Sequence, residues 1–199
     1  MKKYLILCCV VLFSNISLVN AADSEQKQLE VYVDNLMQKT YDLFQKKGMS
    51  DQDRKKASAK LIESHLHFDW MAKYSLGRYR RKLSRSKIQE FTKAYTRFII
   101  NSYSELALSY EGEKGVLTKV RRLDEDLFMV NTKIVNTRSG SSLRVDYLIH
   151  EQNRGGKKLF LVGDIITEGV SILNSQQSEF KSILSTEGID ALIEDIQVK

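Results

Sequence analysis

The chain has 199 residues, no proline, two cysteines and three histidines, and a formal net charge of +6. That length suits one domain with a sizeable core, and the charge is too mild to argue for nucleic acid by itself. Without proline, no prolyl isomerisation slows folding, and glycine does most of the punctuation.

Lys2 and Lys3 precede an apolar run, Leu5 to Phe13, and Val19-Asn20-Ala21 offers permitted residues at −3 and −1. This pattern predicts an export signal cleaved after Ala21. The run falls far short of the roughly 20 residues that a spanning helix needs. Residues 1–21 are therefore expected to be a signal peptide and 22–199 a single domain. Cys8 and Cys9 would leave with the leader, so the exported domain has no thiol, disulfide or cysteine metal ligand. Loss of Lys2 and Lys3 lowers the net charge from +6 to +4. Export places the domain outside the cytoplasm and away from nucleic acid.

A first helix is predicted over 26–46, with Leu29, Val33, Leu36, Thr40 and Phe44 on one stripe, widened by Tyr32, Met37 and Tyr41. Gly48 stops it. Ser50 and Asp53 resemble a capping box opening a second helix that runs to about Leu66. A short helix follows from Phe68 to Leu76, ending at Gly77. The longest helix spans about 86–110, with Ile88, Phe91, Tyr95, Phe98, Ile99 and Tyr110 along one side.

The period then changes to two. Strands are predicted at 115–123, 126–137, 141–151 and 157–167. Leu143, Val145, Tyr147 and Ile149 share one face of the third; Arg144, Asp146 and His150 share the other. Ser139-Gly140 and Arg154-Gly155-Gly156 supply hairpin turns. Two helices close the chain near 175–186 and 189–197. This order gives an α+β class, with helices packed over one face of a curved, mainly antiparallel four-stranded sheet.

Three pieces of sequence carry more information than the rest. The strand Leu159-Phe160-Leu161-Val162 runs into Asp164-Ile165-Ile166-Thr167-Glu168-Gly169-Val170-Ser171-Ile172. Upstream stand Phe68-Asp69-Trp70-Met71 and Leu76-Gly77-Arg78-Tyr79. The chain closes on Gly188-Ile189-Asp190-Ala191-Leu192-Ile193. In this order and spacing they resemble the MlaC family, periplasmic phospholipid carriers of Gram-negative bacteria also called toluene-tolerance proteins. The resemblance covers roughly Gln26 to Ile196. Tyr79 and Phe160 stand where many relatives place tryptophan.

The resemblance implies helices and a twisted sheet around an elongated apolar pocket, with a diacyl phospholipid as cargo and no cofactor, metal or catalytic residue. It implies a periplasmic monomer that shuttles lipid between an outer-membrane lipoprotein–porin complex and an inner-membrane ABC transporter with a substrate-binding ring. That role would maintain outer-membrane lipid asymmetry. The physical need is plain. At about 0.8 kcal/mol per methylene, moving two acyl chains through water costs on the order of 20 kcal/mol unless protein replaces the bilayer around them.

By periodicity alone the apolar stripes read as a filled core. The resemblance implies that they line the pocket: Val130, Ile134, Val145, Tyr147, Ile149, Phe160 and Val162 on the sheet, opposed by Phe91, Tyr95, Phe98 and Ile99. Phe68, Met71 and Leu76 would close one side, and Val170, Ile172 and Leu173 would lie at the mouth. Asp164 reads either as a strand-end acid capping backbone amides or, with Glu168, Gly169 and Ser171, as part of the pocket mouth. Arg78, Arg80, Arg81, Lys82, Arg85 and Lys87 read either as a solvated loop or as a surface docking an acidic partner or anionic head groups.

His65 and His67 have the one metal-like spacing, yet positions two apart diverge on a helix and no third ligand stands out. A second reading is a small periplasmic enzyme, a hydrolase or isomerase with an apolar pocket, using Asp164, Tyr147 or a histidine as acid or base. No Ser-His-Asp set, zinc signature or phosphate loop supports it.

Overall fold

In a computed structural model, residues 16–46, 48–110 and 112–198 are described. Most of the expected leader, including Cys8 and Cys9, lies outside them. The first helix, α1 (Ile16–Phe44), begins ahead of the position predicted for it. Next come α2 (Asp51–His65), α3 (Phe68–Ser75), a 3₁₀ turn over Gly77–Lys82 and α4 (Arg85–Leu106). Strands β1 (Glu113–Asp124), β2 (Leu127–Asn136), β3 (Ser142–Arg154), β4 (Lys157–Thr167) and β5 (Val170–Ser171) precede α5 (Ile172–Thr186) and α6 (Ile189–Val198). Among the described residues, no helix is long and apolar enough to cross a membrane.

Local chemistry sets the helix starts. Ser50 Oγ accepts from Asp53 N at 3.1 Å and donates to the Asp53 carboxylate at 2.7 Å, opening α2. Ser84 Oγ accepts from Lys87 N at the start of α4, and Ser171 Oγ from Asn174 N at the start of α5. Ser171 explains why α5 begins at Ile172 and not near 175.

The sheet is an antiparallel meander in the order β1-β2-β3-β4-β5. It has five strands where four were predicted. The extra one is short and follows a two-residue turn at Glu168-Gly169, with φ of 49° and 85°. Two successive positive φ values make the tight hairpin that suits sheet twist. Glu168 N donates to Arg144 O, and its carboxylate accepts from Arg144 N.

A register shift interrupts β3 and β4. Ile149 pairs with Val162 but Leu148 pairs with Asp164, leaving Gly163 as the extra residue. Side-chain parity changes there, so Phe160, Val162 and Ile165 share one face although they are not evenly spaced. A Cβ at Gly163 would lie 2.7 Å from the His150 ring and 3.2 Å from Trp70, which is why only glycine fits the bulge.

Two apolar clusters result. One sits beneath α1, where Leu29 and Val33 meet Val120, Phe128, Val130, Ile149 and Phe160. The other joins α3, α4, α5 and α6 through Met71, Leu76, Phe91, Tyr95, Ile99, Leu173, Phe180 and Leu192. The crossing point between them is the β4 edge, where Leu66 bridges Val162 and His67 N donates to Val162 O at 2.8 Å. So α2 lies on the α1 side of the sheet, and α3 passes to the side where Trp70 meets His150.

Candidate binding cavity

Between α1, α2 and the sheet lies a cavity of about 420 Å³. From α1 come Tyr32, Val33, Leu36, Met37, Thr40, Tyr41 and Phe44, one broad helix face. At 1.5 Å per residue, that face runs about 18 Å from Tyr32 to Phe44. From α2 come Ser58, Leu61, Ile62 and His65, with Leu66 just beyond, and from the sheet Ile134, Tyr147, Ile149, Phe160, Val162 and Ile165. Tyr110, Glu113 and Gly115 complete one end.

Few polar groups reach this space, and several are satisfied locally. Thr40 Oγ1 donates to Leu36 O, and His65 Nδ1 lies 2.8 Å from Leu61 O. Burial pushes the Tyr147 phenol up to about 12, so it stays protonated and neutral near pH 7. Apart from the His65 ring and the Glu113 carboxylate at one end, the wall is hydrocarbon and uncharged hydroxyls, which can hold an apolar chain. It offers little to develop or stabilise charge on a reacting atom.

The two ends differ. Near Phe160 the cavity is closed by packing: Tyr32 and Phe160 lie 5.3 Å apart, Phe128 and Phe160 6.5 Å, with Leu29 fully buried beside them. Outside that plug, Glu25 pairs with Arg122 at 2.8 Å and Lys158 at 2.6 Å, and Lys158 also pairs with Glu151 at 2.7 Å. At the other end Phe44 and Tyr110 lie 5.3 Å apart, with Tyr41 and Tyr110 half-buried.

Of the lining residues predicted from sequence, the structure brings Ile134, Tyr147, Ile149, Phe160 and Val162 to the cavity. Val130 and Val145 are buried in the sheet layer without bordering it. The α4 stripe of Phe91, Tyr95, Phe98 and Ile99 was set against the sheet; the structure sets α4 against α2, α3, α5 and α6, in a cluster with Ile62, Phe68, Met71, Leu76 and Leu173. Periodicity marks an apolar face without saying what covers it. Ile172 starts α5, and Val170 is 62% exposed on β5.

The Asp164 junction fastens α5 to the sheet. Asp164 Oδ1 accepts from Ile165 N at 2.8 Å and Leu173 N at 3.1 Å, while Oδ2 accepts from Ser171 Oγ at 2.6 Å. Asp164, Glu168, Gly169 and Ser171 do not border the cavity. The basic run forms the 3₁₀ turn after α3, with Arg78, Arg80, Arg81, Lys82 and Arg85 exposed. Arg78 lies over the Tyr79 ring at 5.4 Å, and Lys87 pairs with Glu90 and Asp190. None of the run borders the cavity.

The two close-spaced histidines part company: His65 faces the cavity, while His67 lies 2.8 Å from Gln152 and 5.2 Å from the His150 ring. Burial first, and His150 second, bring His67 down to about 4; burial lowers His150 too. No group of three or more metal-ligand side chains is present among the described residues.

None of the α1 residues that line the cavity was among those expected to do so: their stripe showed an apolar helix face, widened by Tyr32, Met37 and Tyr41, without showing what it would face. The α2 contribution was missed as well, because Ser58 and His65 carry no apolar signal.

A sequence model of the MlaC protein family matches residues 20–198. The chain belongs to the MlaC family. Among its relatives, the intermembrane phospholipid transport system binding protein MlaC of Haemophilus influenzae is 22% identical over 134 residues, covering 67% of this chain. The match spans 62% of that relative's length. The solved phospholipid-binding protein of Ralstonia solanacearum, in complex with a phospholipid, superposes with a TM-score of 0.66 at 16% identity, covering 86% of this chain and 93% of that one. This MlaC family member therefore shares the fold of that protein, sheet and helices together.

Proposed function

We propose that the chain is a periplasmic phospholipid carrier. It is exported by a signal peptide cleaved after Ala21, shields acyl chains in the cavity between α1, α2 and the sheet, and leaves the head group in water. It passes its cargo between complexes of the outer and inner membranes and so maintains outer-membrane lipid asymmetry. The partners under this reading are a lipoprotein–porin complex and an ABC transporter with a substrate-binding ring. The carrier is passive, and direction follows from relative affinities and from ATP used elsewhere.

The observation that carries this reading is the hydrocarbon-walled cavity, in a chain whose family includes a phospholipid transport protein and whose fold matches a phospholipid-binding one. The volume refines it. About 420 Å³ is within the ordinary range of ligand sites, roughly 300–1,000 Å³. Taking a methylene as similar to a liquid water molecule, about 30 Å³, the space holds on the order of a dozen methylenes, or one acyl chain. A second chain requires α1 and α2 to part from the sheet. Lipid loading is thus a widening of this seam.

Carriage is favoured over catalysis by the state of the candidate acids and bases. Asp164 is committed to three hydrogen bonds at the α5 corner, Tyr147 is held neutral, and His67 and His150 lie across the sheet from the cavity.

Mass spectrometry of the denatured protein, purified after export, tests the reading. Phospholipid should be released, and the mature chain should begin at Ala22. Ile134→Trp, which fills the cavity, should lower the recovered lipid severalfold while the far-ultraviolet circular dichroism is unchanged. Repeated absence of phospholipid from the parent protein would remove the proposal.

A further inference from the structure

The cavity is closed at one end by packing, and the charges outside that end are already matched. We infer that the opposite end, framed by Tyr41, Phe44 and Tyr110, is the mouth, and that Arg54 and Lys114 there receive the phosphodiester of a lipid head group. This rests on the carrier reading and adds to it a polarity and a recognition site.

Arg54, in the first turn of α2, lies 5.9 Å over the Phe44 ring, and Lys114, at the start of β1, lies 5.7 Å over the Tyr41 ring. Both rings border the cavity. Two elements from different parts of the chain thus place a cation over an aromatic at the same end.

Their hydrogen-bonding capacity is largely unspent. Arg54 Nη1 donates to Phe44 O at 3.2 Å, which uses one of five guanidinium donors. Among the described residues, neither Arg54 nor Lys114 makes an ion pair, whereas Arg122 and Lys158 at the plugged end share Glu25. Glu113 beside Lys114 has an oxygen accepting from Asn136 Nδ2 at 3.1 Å. Tyr110 Oη donates to Glu113 O at 2.9 Å and accepts from Gln45, which fixes the aromatic rim.

The chemistry suits a phosphodiester. A guanidinium offers paired donors to two phosphate oxygens and an ammonium adds a point charge, while the tyrosine rim accepts the glycerol region between oil and water. The acyl chain then runs along the α1 face toward Phe160.

The test uses the exported, delipidated chain with three probes of equal chain length: phosphatidylglycerol, diacylglycerol and free fatty acid. Wild type should bind phosphatidylglycerol about tenfold more tightly than diacylglycerol, and Arg54→Gln with Lys114→Gln should erase that difference while leaving diacylglycerol binding unchanged. Because Arg54 also holds the α1 terminus, Lys114→Gln alone, at an exposed position, should give a partial loss without any change in melting temperature. Arg122→Gln is the control and should leave the preference intact.

A phospholipid carrying a photoreactive head group should crosslink to peptides containing Tyr41–Arg54 or Lys114. Crosslinks at Glu25 or Lys158, or a head-group preference that moves with Arg122 and not with Arg54 and Lys114, would overturn the assignment while leaving lipid carriage standing. Fatty acid binding with the same dependence on Arg54 and Lys114 would overturn the phosphodiester as the recognised group. Failure of wild type to bind any of the three probes would instead remove the carrier reading itself.

Discussion

The helical half and the sheet half of this protein are built from the same apolar residue types and end in opposite conditions. Among α3, α4, α5 and α6, Phe180 meets Phe91 and Tyr95 edge-on at 6.1 and 6.3 Å, and all three are essentially inaccessible. Between α1, α2 and the sheet, Leu36, Met37, Leu61, Ile62, Ile134 and Tyr147 remain only partly buried around open space. Three aromatic rings interlock on one side. On the other, a helix carrying Ser58 on its inner face stands over a curved sheet and does not fill it. Whether an apolar face becomes solid or hollow is decided by what the opposite element brings to it.

Mutations should separate the two halves. The largest effect expected is Phe180→Ala, which removes the centre of the solid cluster and should cost about 3–5 kcal/mol in urea unfolding. Next is Asp164→Asn, which weakens the charge-assisted bonds that tie α5 to the sheet and should cost about 2 kcal/mol by the same measurement. A cost near zero would mean that the helical half holds together without its corner.

A smaller effect is expected from pH at the seam between the halves. His67 is held at about 4 against an ordinary 6.5, so the unfolded chain takes up its proton first. Stability is then full above about pH 6.5 and declines as pH falls toward 4. His150, also lowered, adds a contribution of the same sign. The nearby Asp69 and Asp126 favour protonation, while Arg154 and Lys73 oppose it, and burial outweighs them. His67→Gln should flatten this decline in melting temperature measured across that window. The smallest effect is expected from Leu36→Ala in the cavity wall, under about 1.5 kcal/mol, because its side chain already borders empty space. If it cost as much as Phe180→Ala, the contrast between hollow and solid would fail.

The element types were readable because periodicity and caps report local forces. Ser50, Ser84 and the alternation of Leu143 to Ile149 act on their own neighbours, and those helices and strands stand close to their predicted positions. The short β5 escaped because two residues carry no period, and the 3₁₀ turn because Arg78 to Lys82 signals charge without conformation. The pairing of α4 with helices instead of the sheet was invisible, since Phe91 and Tyr95 look the same from either side. For the cavity, the sheet wall was legible from Ile134, Tyr147, Ile149, Phe160 and Val162. The α1 and α2 walls were not: the α1 stripe showed an apolar face without its partner, and the α2 contribution comes from position more than from composition.

Gly163 gives β4 two jobs. Before it, the strand turns Phe160 and Val162 toward oil; after it, Asp164 turns the other way and grips a helix. One residue of slack bends the strand between these two tasks while both parts stay paired with β3. Deleting Gly163 would leave Asp164 opposite Leu148 and Ile165 opposite Tyr147, each on its present side, and lose only the bend. Replacing it is the costlier change, because any side chain there must displace the rings of His150 and Trp70.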